Sequence, residues 1–173
     1  MKKNLVLTGM MGVGKTTVGK KLAKRLNIKF IDIDQIIETK EKKTIKKIFE
    51  DEGESYFRKI EKEITLDILK KKNLVIALGG GAFISSIIRK EVIKSSISVW
   101  LDLGVNFLLL RLKNIKKRPL LNEENLNESI NKIYSERKKI YNQSNFRIKC
   151  DTLEINQIIN KIIRLYENSR DKI

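Results

Sequence analysis

The sequence predicts an α/β domain, a parallel sheet with helices on both faces, and three observations predict it. Short apolar runs alternate with helix-periodic stretches along all 173 residues, the pattern of repeated strand–helix units. The first apolar run stops at a glycine-rich turn that leads into a helix. Acidic, glycine-rich and basic segments then follow the predicted strands, and open sheets of this class hold their ligands outside the carboxyl ends of the strands.

Taken in order, residues 4–8 read as the first strand and 15–26 as a helix. Residues 28–32 (IKFID) form a second strand that ends in acid, and a short helix follows over 33–38. Thr44 is placed to cap a helix through Phe49, and Gly53-Glu54 breaks it before a longer amphipathic helix over 54–71. The run 74–78 (LVIAL) is short enough for a buried strand and stops at Gly79-Gly80-Gly81. A helix over 84–93, a strand over 98–101 and a helix over 105–113 come next. Residues 114–125 are polar and basic, hold the one proline, Pro119, and predict a mobile loop. A helix over 128–141, a last strand over 146–150 and a closing helix over 154–168 complete one domain, 1–173, without repeats or a linker.

The glycine-rich turn carries the most specific signal. Gly9, four residues, then Gly14-Lys15-Thr16 satisfies the phosphate-loop pattern G-x-x-x-x-G-K-[ST]. Gly9, Gly12 and Gly14 let consecutive backbone N–H groups converge on one anion, and the following helix adds its N-terminal N–H groups and dipole. Lys15 can reach the β- and γ-phosphates, and the Thr16 hydroxyl can ligand Mg²⁺.

Composition excludes several classes. An apolar fraction of 41% fits a globular domain, and no run of eighteen apolar residues predicts a membrane span. The chain passes from Met1-Lys2-Lys3 straight into the first strand, so no leader peptide is expected. One cysteine, Cys150, makes no internal disulfide and agrees with a cytoplasmic setting. The net charge of +16 invites a nucleic-acid partner. Lysine is instead spread along the whole chain among Ile and Asn, with no aromatic-interleaved basic segment, so no nucleic-acid partner is expected.

Asp32-Ile33-Asp34 sets two carboxylates where a strand gives way to a helix. Asp32 is the better candidate to support a metal, directly or through water, and Asp34 the better acceptor-side base. Capping of the helix is the alternative for both. Three glycines at a strand end suggest either a substrate held against the backbone or a tight turn. Arg58 and Arg137 sit beside apolar stripes (Phe57, Ile60, Ile64 and Ile133, Ile140, Tyr141), where a pair of guanidinium groups would suit an acidic acceptor. Among 37 Lys and Arg, residue type alone leaves surface ion pairing open for both. Arg118, before Pro119, could swing over the γ-phosphate or stay solvated.

Six segments in order, GMMGVGKTTVGKKLA, FIDIDQIIE, TIKKIFEDEGESYFRKIE, ALGGGAF, RPLL and ERKKIY, resemble the shikimate kinases, from the first strand to about Tyr141. The resemblance implies a three-layer P-loop, nucleoside-monophosphate-kinase-like fold. Its five-stranded parallel sheet would have the order 2-3-1-4-5, with a mobile lid at about 112–125 and a substrate-binding helical segment at about 33–62. It implies Mg-ATP-dependent phosphorylation of the shikimate 3-hydroxyl, on the route to chorismate and the aromatic amino acids, by a monomer. It assigns Gly12, Val13, Gly14, Lys15, Thr16, Thr17 and Arg118 to ATP, and Thr16 and Asp32 to the metal. Asp34, Arg58, Gly80 and Arg137 fall to shikimate, with Lys15, Asp34 and Arg118 catalytic and Arg111 packing on adenine. The chain departs from the family's pattern at Lys139, where a proline is usual, and at Asn142-Gln143-Ser144-Asn145, where an acidic, alanine-containing stretch is usual. No adenine contact is assigned after Cys150. Gluconate or adenylate kinases and a nucleotide-binding regulator are the rival readings. The carboxylate-binding pair of arginines with Asp34 argues against a pure binder.

Overall fold

The computed structural model describes residues 3–112 and 125–170. In chain order the elements are β1 (Asn4–Thr8), α1 (Lys15–Leu26), β2 (Lys29–Asp32), α2 (Ile33–Glu41), α3 (Ile45–Lys70), β3 (Leu74–Ala77), a 3₁₀ turn (Ala82–Ile84), α4 (Ser86–Ser95), β4 (Ser96–Asp102), α5 (Val105–Leu112), α6 (Leu126–Tyr141), β5 (Phe146–Lys149) and α7 (Ile155–Arg170). The strands form one parallel sheet in the order β2-β3-β1-β4-β5, as expected.

The central strands β1, β3 and β4 are buried along their whole length, which is why they read as continuous apolar runs rather than alternating ones. α1 and α7 pack together on one face of the sheet, and α4, with α3 against it, covers the other. Leu5, Val6, Leu7, Val75, Ile76, Val99 and Trp100 make the middle layer of a single core. Strand order reverses at β1, so the crevice outside its carboxyl end is the place for a ligand.

Local chemistry sets most boundaries. The Thr44 side chain accepts from Lys47 N at 3.2 Å and starts α3. Gly53, at φ 82° and ψ 170°, breaks that helix where the sequence predicts a break. Several boundaries differ from expectation by one to three residues. Ser85 caps α4 by accepting from Ile88 N, and Arg89 donates to the Phe83 and Ile84 carbonyls (3.0 and 2.9 Å), so the predicted 84–93 helix is a separate turn followed by α4. β4 begins two residues before the predicted 98 because its buried Ser96 and Ser98 break the apolar run. Ser98 is satisfied by Asn145, whose Oδ1 accepts from its N (2.8 Å) and Oγ (2.7 Å). Ser144 Oγ likewise meets Thr8 Oγ1 at 3.0 Å. The polar stretch that departs from the family's pattern therefore ties β5 to the neighbouring strands. α2 runs three residues past its expected end.

Candidate active site

The site is assembled from the ends of β1, β2 and β3 together with α3 and α6. After β1 the chain turns through Gly9, Gly12 and Gly14, all at positive φ (133°, 77° and 98°). Gly9 has a second reason to be glycine, since a Cβ there would lie 2.5 Å from the Leu101 carbonyl oxygen. Gly14 caps α1 without any side-chain partner for the helix N–H groups, leaving them directed at an incoming anion. Lys15 Nζ folds back over the loop and donates to the Gly9 and Met10 carbonyls, each at 2.9 Å. Val13 is buried and Thr17 exposed, and Arg111 Nη1 donates to the Val13 carbonyl at 3.0 Å. The arginine that the resemblance assigns to adenine thus also contacts the phosphate loop.

Asp32 caps the helix that follows it and also touches the phosphate loop. Its Oδ1 caps α2 by accepting from Asp34 N at 3.1 Å, and its Oδ2 accepts from the Thr16 hydroxyl at 2.6 Å. A hydroxyl and a carboxylate in contact beside the phosphate loop are hard oxygen donors and suit Mg²⁺. Among the described residues no cluster of three His, Cys, Asp or Glu side chains exists to cage a metal alone. The pair fits an ion that takes its remaining ligands from phosphate and water.

Asp34, Arg58, Gly80 and Arg137 come together around a cavity of about 550 Å³ that also reaches Met11, Thr16 and Asp32. Phe49 and Phe57, with ring centroids 4.8 Å apart, give it an apolar side. Arg137 Nη1 donates to the Gly80 carbonyl at 3.0 Å, and Tyr141 OH donates to the same oxygen. Arg118 and almost all of the expected lid at 112–125 lie outside the described residues.

Gly79 and Gly81 have a further reason to be glycine, beside the two the sequence leaves open. None of the three is at positive φ. A Cβ on Gly79 would sit 2.6 Å from both Asp34 Oδ1 and Glu61 Oε1, and one on Gly81 would sit 2.6 Å from Arg58 Nη1. The glycines leave room for the site's own side chains to reach the backbone.

Glu61 is the residue that the sequence reading did not single out. It is only 2% exposed and pairs with Arg58 Nη1 at 2.7 Å, while Arg58 also reaches Glu54 at 3.0 Å. One signal was available: the buried face of α3 runs Phe57, Ile60, Glu61, Ile64, Thr65 and Ile68, so a glutamate sits within a mostly apolar stripe. Burial raises the Glu61 carboxyl above its usual 4.5, and Asp34 adds to this against the lowering pull of Arg58. An acid whose pKa rises on folding is stabilising while protonated and loses that contribution as pH climbs through its folded value. Glu61→Gln is therefore expected to match the parent chain near pH 4 and to exceed its Tm by roughly 2–4 °C at pH 8. A lower Tm at pH 8 in thermal melts would mean that the ion pair outweighs the burial.

Comparison with known proteins agrees with this geometry. The shikimate kinase family model matches residues 11–167. A shikimate kinase of Sulfurihydrogenibium is 44% identical over 161 residues, 93% of this chain and 96% of that one. The structure of shikimate kinase from Acinetobacter baumannii in complex with shikimate superposes with a TM-score of 0.93 at 35% identity, covering 98% of this chain and 95% of the other. A gluconokinase from Sinorhizobium meliloti, at 16% identity and a TM-score of 0.58 over 98% of this chain and 97% of its own, shares the fold alone. With its phosphate loop, its paired arginines and these relatives, the chain belongs to the shikimate kinase family of ATP-dependent kinases that act on shikimate.

Proposed function

We propose that the protein transfers the γ-phosphoryl group of Mg-ATP to the 3-hydroxyl of shikimate through the residues gathered here. The observation that carries the reading is that one cavity is lined both by Thr16 and Asp32, beside the phosphate loop, and by Asp34, Arg58 and Arg137. Its walls suit a small carboxylated polyol, with two guanidinium groups for the carboxylate and a carboxylate for a hydroxyl.

In this mechanism Arg58 and Arg137 hold the shikimate carboxylate, and the Gly80 backbone lies against the ring. Asp34 orients the hydroxyl and takes its proton as the new O–P bond forms and the bond from the γ-phosphorus to the ADP oxygen breaks. The transition state is loose, so most of the catalysis is alignment and charge stabilisation. Gly12, Val13, Gly14, Thr16 and Thr17 bring backbone N–H groups to the phosphates, and Lys15 moves from its loop carbonyls onto the β- and γ-oxygens. Thr16 and Asp32 would hold Mg²⁺, which when bound offsets charge on the phosphate oxygens. Arg118, outside the described residues, is proposed from the resemblance to act on ATP. The proposal includes a monomer working in the cytoplasm on two small molecules, with no nucleic-acid partner. No helix of the described residues is long and apolar enough to cross a membrane.

ADP release from Mg-ATP is measured with shikimate, gluconate, AMP or no acceptor. Turnover with shikimate alone is expected. Turnover only with another acceptor would keep the ATP site and discard the acceptor assignments.

A further inference from the structure

We propose that Tyr134 and Tyr141 are positioning residues for Arg137, an inference that rests on the reading of Arg137 as a shikimate ligand. The three residues are spaced by three and four along α6, so they share one face of the helix. Each tyrosine hydroxyl is committed to an acceptor outside the helix. Tyr141, 1% exposed, donates to the Gly80 carbonyl on which Arg137 Nη1 also rests. Its ring packs on Trp100 with centroids 5.9 Å apart, and its hydroxyl lies 4.0 Å from Met10 Sδ, so it is enclosed between β4 and the phosphate loop.

Tyr134 OH donates to Asp102 Oδ1 at 2.8 Å, at the carboxyl end of β4. Asp102 is itself fixed: Arg147 Nε and Nη2 reach its other oxygen at 2.9 and 2.7 Å, and the same guanidinium lies 4.7 Å from the Trp100 ring centroid. The two anchors are seven residues apart, about 10 Å along a helix. Apolar packing alone would let α6 rotate or slide by a fraction of an ångström, and two directional bonds on either side of Arg137 restrain both motions. Misplacing a substrate-positioning group by about 1 Å can lower turnover by about 10²-fold, so this restraint bears on substrate binding as well as on folding.

The test uses Tyr141→Phe and Tyr134→Phe, which remove only the hydroxyls. Tyr166→Phe serves as the matched control, because Tyr166 is also buried and donates to a backbone carbonyl, that of Lys3 at 2.7 Å, at the opposite end of β1 from the phosphate loop. The shikimate KM is expected to rise about fivefold to tenfold in Tyr141→Phe and about threefold in Tyr134→Phe, with the ATP KM within about twofold of the parent. Tyr166→Phe should leave both constants alone. In an Arg137→Ala background, adding Tyr141→Phe should change the shikimate KM less than about twofold, because the positioned group is gone. A full Tyr141→Phe effect in that background, an equal rise in both KM values, an equal effect of Tyr166→Phe, or no effect of either tyrosine variant overturns the inference. If Arg137→Ala alone leaves the shikimate KM unchanged, the reading of Arg137 fails and the inference falls with it.

Discussion

Lys15→Ala is expected to lower kcat about 10²- to 10³-fold, the size of effect seen when one preorganised donor to a developing charge is removed. The fold should survive. The phosphate-loop path is set by Gly9, pressed against the Leu101 carbonyl, and by the positive φ angles of Gly9, Gly12 and Gly14, none of which depends on the lysine. The variant gives up, among its contacts, the hydrogen bonds to the Gly9 and Met10 carbonyls, in a half-buried place that water reaches. Its Tm is therefore expected within a few degrees of the parent. Steady-state ADP release separates the roles. If kcat and kcat/KM fall together, the ammonium acts in the transition state. If only the ATP KM rises, it binds ground and transition states alike, and the proposed role is wrong. Near-normal turnover would remove Lys15 from the chemistry.

Much of this architecture is legible in the residues because local and tertiary signals agree. Leu5–Leu7, Val75–Ile76 and Val99–Leu101 are apolar runs because the sheet buries both of their faces, and the strand order was implied only by the family resemblance that six short motifs carry. Thr44 and Gly53 mark the ends of helical segments by chemistry that needs no partner. What escaped depends on contacts across the chain. Ser96 and Ser98 read as polar, yet both are buried, and Ser98 is satisfied there by Asn145, 47 residues away. The triple glycine pointed to a close approach, and at Gly79 and Gly81 side chains of the same chain, Asp34, Glu61 and Arg58, also make one. Glu61 was hidden because a glutamate on a charged helix resembles many others until its burial and its arginine are seen. Tyr134 gave no signal at all, since its acceptor, Asp102, is 32 residues away.

Arg58→Ala is expected to raise the shikimate KM about 10²-fold, corresponding to two charge-assisted hydrogen bonds to a carboxylate, with a far smaller change for ATP. An equal rise in both constants would sink the carboxylate-clamp assignment. The substitution also has a structural consequence that must be separated from binding. Arg58 is the cation hydrogen-bonded to Glu61, and its loss leaves a buried carboxylate facing Asp34 with only the weaker pull of Arg137 to offset it. The carboxyl pKa should then rise further, so the variant loses stability at pH 8, by about 1–3 kcal/mol, and recovers it as pH falls and Glu61 takes up a proton. Adding Glu61→Gln removes the buried charge. The double variant should therefore regain most of the lost Tm at pH 8 while its shikimate KM stays high. If restoring stability also restored the KM, Arg58 would matter only through the fold, and the carboxylate would have to be held by Arg137 alone.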